Sequence, residues 1–453
     1  MSILTSYVIP FLIALGPLIL VHELGHYLAA RWCGVKVLRF AIGFGRPLFK
    51  YRAGADGTEW VLGIFPIGGY VKMLDEGEGE VAGHEAHRSF NRQTVGRRFA
   101  ITAAGPLFNL LLAVVLYWGL YVVGGDELRP IAALTEAPAS VARAAGVEEG
   151  DLVLSVDGEA VESWRDLSWK LLNRAVDRRE TVLRVRTAAG DEAERMLDLR
   201  GFSLDDAGKK NPIALMGLRA QLPPARIARV GKGAAADRGG LREGDEIAAI
   251  DGKSTPTSGD VIEAVRASPG RALVFTVRRG GERHDFVVTP DAREEGGERI
   301  GFIDARFDLA RLDHLFVTVR HGPLDALAKA IGLTGETCVL SLKTIGQMIT
   351  GDISPKNISG PITIADIAGK SSQHGLSPFI RLLAFISISL GVLNLLPVPV
   401  LDGGHLLYYA LEFIRGRPLS ARVVELGQRI GLTLLLTLMA FALYNDINRL
   451  IPA

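Results

Sequence analysis

The chain has 453 residues, 48% of them hydrophobic and 22% charged, so it is too long for one ordinary domain and too apolar for an average soluble protein. Its 51 Lys+Arg against 50 Asp+Glu leave a formal net charge of +1, which excludes a nucleic-acid binder relying on broad attraction to phosphates. Two cysteines, Cys33 and Cys338, exclude a disulfide scaffold or a cysteine zinc cluster as the organiser of the fold.

The first apolar stretch runs from Tyr7 to Ala30, uncharged as far as Val21 and then carrying His22, Glu23 and His26 before Arg31. It is expected to span a membrane and not to be cleaved, because residues 1–7 hold no Lys or Arg and the apolar run passes straight into histidines. In His22-Glu23-Leu24-Gly25-His26 the two imidazoles lie four apart on one helix face and can approach a single zinc ion, with Glu23 beside a bound water. Ionisable groups inside a membrane helix are costly and are retained for function. Residues 31–98 follow, with Arg31, Lys36, Arg39, Arg46, Lys50 and Arg52 near one span and Arg88, Arg92, Arg97 and Arg98 before the next, so this segment reads as cytoplasmic. His84 and His87 within it read as part of a solvated loop. The second span, Phe99–Val123, has 25 residues without a charged side chain; Gly105 and Pro106 are tolerable there because neighbouring helices can satisfy freed backbone groups.

The stretch from about Gly124 to Pro378 is then expected outside, and it repeats itself at an offset of 94 residues. Gly146, Gly150, Asp151, Asp157 and Gly158 match Gly240, Gly244, Asp245, Asp251 and Gly252 without a gap. Each copy is predicted to continue with a helix, Trp164–Asn173 or Gly259–Ala267, and two alternating strands around Gly190 or Gly280–Gly281. Two small β-rich domains, 127–221 and 222–310, are expected, then an outer-surface linker with amphipathic helices over 311–375 that includes the Gly/Pro/Ser-punctuated element Gly351–Gly369.

The third span, 376–402, contains Asn394, Pro397, Pro399 and Asp402 in NLLPVPVLDGG. Its prolines break the helix at membrane depth, which is permitted only where backbone is buried in protein or lines a wet cavity, so they are the natural lining of a water entrance. A catalytic zinc with two histidines lacks one protein ligand, and Asp402 is expected to supply it; His405 is expected to stay outside the ligand set. A cytoplasmic loop, 403–429, carries Arg415, Arg417, Arg422 and Arg429, and the fourth span, 430–445, has an apolar core of only 15 residues, Ile430–Tyr444, which must lean on its flanks or on local thinning of the bilayer. Both termini then face outward and both histidine and aspartate motifs lie toward the cytoplasmic side.

The repeated blocks GVEEGDLVLSVDG and GLREGDEIAAIDG resemble bacterial PDZ domains, a fold that adds an extended peptide to a sheet edge. Two readings stand side by side: peptide tails bind there, or the pair acts as steric bulk over the membrane part. HELGH together with NLLPVPVLDGG, AAGPLFNLLLA at Ala103–Ala113, IGFGRPLF and PIGGYVKML resembles the site-2 protease family over nearly the whole chain. The resemblance implies a polytopic α-helical membrane protein with four transmembrane helices, a membrane-dipping β element over Phe40–Phe49 and Trp60–Met73, and two tandem periplasmic PDZ-like domains in the inner membrane of a bacterium. It implies Zn2+ held by His22, His26 and Asp402, Glu23 as general base, and Asn394 on the substrate backbone, with Pro397 and Pro399 beside it. The expected partners are the lipid bilayer and a single-pass transmembrane substrate of the anti-sigma factor type, already trimmed on its outer side and cut within the membrane; no nucleic acid is expected. Two alternatives are a membrane-anchored PDZ adaptor without proteolytic activity and a zincin-like membrane protease cutting soluble segments on the cytoplasmic side.

Overall fold

The computed structural model describes residues 7–450 except 78, 136–139, 203–210, 256, 296–297, 309–312 and 356–357. The described residues divide into two units, one within 7–125 and 320–450 and the other within 126–202 and 211–319.

In the first unit four helices are long and apolar enough to cross a membrane: Ile9–Trp32, Val95–Val123, Leu376–Leu395 and Ala421–Asn448 within the longer helix Ala421–Leu450. Small residues set their contacts, as expected where lipid removes the hydrophobic drive for helix pairing and only close approach remains. A Cβ on Gly25 would stand 2.5 Å from the Ala104 carbonyl oxygen, and one on Gly391 would stand 2.9 Å from Leu110 Cδ2. Ala113, Tyr117, Ala384, Ile388 and Val392 fill the seam between Val95–Val123 and Leu376–Leu395.

The segment between the first two helices folds into two long paired strands, Val37–Ala53 and Thr58–Met73. Each strand bends, so the pair makes a sheet of four segments in the order 47–53, 58–63, 37–42 and 69–73. Among the described residues no strand pairs with the far edge of 69–73. Tyr27 on the first helix stacks edge-on with Phe40 and Trp60 of the sheet at ring distances of 5.7 and 5.2 Å, which ties the sheet to that helix. Arg52, Lys50 and Arg39 converge on Glu59 and pull its carboxyl down to about 2, so the sheet carries a fixed ionic knot at physiological pH.

Three sequence expectations change in detail. The third span ends at Leu395, not Asp402, because Pro397 and Pro399 cannot continue a helical ladder. Residues expected as a loop after it contain a helix, Asp402–Arg415, stopped by Gly416 at φ 68. The fourth helix begins at Ala421, well before the apolar core at Ile430, because the charged flank is itself helical; Glu425 and Arg429 pair there at 2.6 Å. Between Val319 and the third span lie the helices Pro323–Thr350 and Pro361–Gln373. The latter is capped from a distance: Asp446 on the last helix accepts hydrogen bonds from the N–H groups of Gly360, Ile362 and Thr363 at 2.9, 2.9 and 3.1 Å.

The second unit contains the two repeat copies. The first has the sheet order Glu159–Ala160, Leu152–Val156, Glu180–Arg186, Glu192–Asp198 with helix Trp164–Val176. The second has Glu282–Val288, Leu273–Arg279, Glu246–Ile250, Ala225–Val230, Ala305–Phe307 with helix Ser258–Arg266. The repeated residues are structural. Asp157 and Asp251 take φ 49 and 50, followed by Gly158 and Gly252 at 83 and 75, the tight hairpin turn that an Asp-Gly pair makes. Asp151 and Asp245, both buried, accept the N–H groups of Glu148 and Arg242 at 3.0 and 2.8 Å.

Asp245 also accepts both Arg279 bonds, at 2.7 and 2.8 Å. Burial pushes its carboxyl up, but Arg279 and the Arg242 N–H outweigh that and hold it below the usual carboxylate range. A carboxyl lowered on folding adds stability above its unfolded value, near pH 4, and that stability is lost as pH falls through the folded value. Asp245→Asn is accordingly expected to destabilise the second copy by about 2 kcal/mol at pH 7, with the deficit shrinking toward pH 3, as read by chemical denaturation at each pH. A deficit constant with pH would assign the loss to packing.

Candidate active site

His22 and His26 lie one turn apart on helix Ile9–Trp32, and their Nε2 atoms stand 3.2 Å from each other. Asp402, the first residue of helix Asp402–Arg415, brings Oδ2 to 3.2 Å from His22 Nε2 and 3.6 Å from His26 Nε2. Donors about 2.0–2.1 Å from a tetrahedral centre lie roughly 3.3–3.4 Å apart, so this triangle has the dimensions of one face of a zinc site. It is also the group of three metal-ligating side chains found among the described residues, and two imidazoles with a carboxylate are a donor set that zinc accepts. His84, His87 and His405 are outside it.

Asp402 reaches the histidines because of the turn before it. The Leu401 N–H donates to the Val398 carbonyl at 3.1 Å, with Pro399 second in the turn and Val400 third at φ 92. Glycine is the usual third residue of such a turn, so the β-branched Val400 is held in a strained conformation, at a cost of about 1–3 kcal/mol, two residues from the carboxylate. Gly403 and Gly404 permit the fold-back: a Cβ on either would stand 2.1 Å from the Leu396 oxygen or 2.5 Å from the Val398 oxygen. Gly431 of the last helix meets the Pro399 oxygen in the same way, at 2.0 Å.

Glu23 is buried, 8% exposed, and lies against the sheet: a Cβ on Gly69 would stand 2.8 Å from Glu23 Cγ. The unpaired edge segment 69–73 therefore begins beside the glutamate. Asn394 sits half-buried in the last turn of Leu376–Leu395, eight residues before Asp402. Pro397 is exposed and Pro399 half-buried in the turn that joins Asn394 to Asp402.

Helix Val95–Val123 supplies what spacing in the sequence could not reveal. His26 Nδ1 donates to the Ile101 carbonyl at 2.9 Å, and His22 Nδ1 stands 3.3 Å from the Asn109 amide. Gly105 lies between: a Cβ there would sit 2.3 Å from His26 Nε2 and 2.9 Å from His22 Cε1, so any larger residue would displace the imidazoles. The only sequence trace of this was the AAGPLFN string, which carries Gly105 and Asn109 four residues apart.

Residues 10–438 match peptidase family M50. The chain is 38% identical over 443 residues to the regulator of sigma-E protease RseP of Salmonella typhimurium, covering 97% of this chain and 98% of that protein. It is 41% identical over 440 residues to a Xylella fastidiosa protein named "Putative zinc metalloprotease", covering 96% of this chain and 97% of that one. A similarly named protein of Ralstonia nicotianae is 42% identical over 463 residues, covering 98% and 99%. The chain belongs to peptidase family M50 and is a zinc metalloprotease of the site-2 protease type.

Proposed function

We propose that this protease cuts single-pass membrane proteins within their transmembrane segment, and that the substrate in the cell is an anti-sigma factor already trimmed on its outer side. The observation that carries the reading is the donor triangle, two of whose members, His22 and His26, lie on a helix of membrane-spanning length and apolarity while Asp402 opens the helix that follows a third such helix, with an unpaired strand edge beginning beside Glu23. In this reading His22, His26 and Asp402 hold the zinc. Zinc, when bound, supplies a Lewis acid that polarises a carbonyl and acidifies a water. Glu23 takes the proton of the attacking water on its carboxylate and passes it to the leaving amide nitrogen.

The remaining residues address a difficulty of the substrate. A transmembrane helix hides its carbonyls in its own hydrogen bonds, so it must unwind to be cut, and the freed groups need new partners in an apolar medium. The edge 69–73 offers backbone donors and acceptors, and the Asn394 amide offers both kinds. The Pro397–Pro399 turn lines the water entrance. The exposed apolar residues Phe44, Leu48, Phe49, Leu62, Ile64 and Phe65 on the same sheet favour its lying in the bilayer.

The domain limits and topology belong to the same proposal. Basic residues in 31–98 and 403–429 favour those segments on the cytoplasmic side of an inner membrane, with both termini and the two PDZ-like copies in the periplasm. The copies act there as a size filter, and the second has a cavity of about 250 Å³ between helix Ser258–Arg266 and the Ile300–Phe307 segment, lined by Val261, Val265, Phe302 and Phe307, which suits an apolar peptide tail.

The test uses a single-pass reporter in two forms, with a short outer tail and with a folded outer domain, and maps the product ends by mass spectrometry. The short form is expected to be cut within its apolar stretch at least tenfold faster than the folded form. A cut outside the apolar stretch would favour the cytoplasmic-zincin alternative, and equal rates for the two forms would remove the size filter.

A further inference from the structure

We propose that Asn109 is a positioning residue that fixes His22 as a zinc ligand, by accepting the Nδ1 proton of His22 on its side-chain oxygen. The inference rests on the reading of His22 as a ligand through Nε2. A neutral imidazole that gives its Nε2 lone pair to a metal carries its proton on Nδ1, and the acceptor that takes this proton sets both tautomer and ring orientation. For His26 that acceptor is visible as the Ile101 carbonyl at 2.9 Å. For His22 the group facing Nδ1 is the Asn109 amide at 3.3 Å.

The placement of Asn109 is too specific for filling space. Ile101, Gly105 and Asn109 recur every four residues and therefore form one ridge of helix Val95–Val123, matched against His22 and His26, which are also four apart. The first gives a carbonyl to one ring, the second makes room for both, and the third meets the other ring. Asn109 is fully buried, and Ser387 Oγ of helix Leu376–Leu395 donates to its backbone carbonyl at 2.7 Å, which fixes its height. With the amide nitrogen toward His22, two donors meet and Oδ1 has no hydrogen-bond partner. A half-turn of the amide places Oδ1 against the Nδ1 proton at the same distance, because its oxygen and nitrogen are nearly identical in shape. That orientation is the one a zinc-bound His22 requires.

The test is zinc affinity of the purified full chain in detergent, measured by competition with a chelator at fixed pH. Asn109→Leu, which keeps the size and removes the acceptor, is expected to bind zinc about 10–100-fold more weakly. Asn109→Asp, which keeps an acceptor oxygen, is expected to remain within about threefold of the unchanged chain, since carboxylates serve in this position in other zinc sites. If Leu disturbs the helix seam, Asn109→Ala replaces it in the same comparison. Wild-type affinity in the Leu or Ala variant overturns the inference, as does an Asp variant as weak as the Leu one. His22→Ala is run alongside: loss of zinc there with no loss in Asn109→Leu overturns only the role of Asn109, whereas full zinc retention in His22→Ala overturns the ligand reading as well.

Discussion

Asp402→Ala is expected to leave the purified chain nearly free of zinc and without detectable cleavage. Two imidazoles remain at 3.2 Å from each other, but a catalytic zinc uses three protein ligands, and the missing corner is the one that closes the face. Loss of a group that merely orients a ligand weakens zinc about 10–100-fold, so loss of a ligand should exceed about 100-fold. The helix should survive, because alanine is a good helix former and Gly403 and Gly404 still permit the close approach to Leu396 and Val398. Zinc per chain in the purified variant, set beside its helical content, checks this. Full zinc with a normal fold would require another third ligand, and His405, three residues on, would be the first to examine.

Much of this centre was legible because it is local. HELGH places two imidazoles on one helix face by spacing alone, and the proline pair announces a break that delivers Asp402. The 94-residue repeat was equally plain, since its signature residues are held by hydrogen bonds within a few positions of themselves and by an Asp-Gly turn. What was hidden is what the histidines lean on. Asn109 is 87 residues from His22, and no periodicity links them; only packing of two helices brings them together. The Asp446 cap on Gly360–Thr363 joins residues more than 80 positions apart and left no mark for the same reason. Helix Asp402–Arg415 lies where a loop is expected, because Pro397 and Pro399 before it and Gly403 and Gly404 in its first turn suggest a longer interruption, while its own run Leu406, Tyr409, Ala410 and Phe413 is amphipathic. The fourth span draws its missing length from its flank, one of the two ways open to it, because the helix carries straight through the charges at which a hydropathy reading stops.

The second large effect concerns Glu23, and it separates chemistry from metal binding. Glu23 is not one of the three donors, so Glu23→Gln is expected to keep zinc at wild-type affinity while cleavage falls about 10²–10⁴-fold, the usual worth of a positioned base. The glutamine has the same length and fits the same space against Gly69, so a packing loss is not expected. The adaptor alternative predicts no change. The most direct measurement is therefore processing of the short-tailed reporter by wild type and Glu23→Gln, in cells lacking any related protease, with zinc per chain determined on both purified proteins. Loss of the intramembrane product with zinc retained is the predicted result. Equal processing by the two forms would contradict the account.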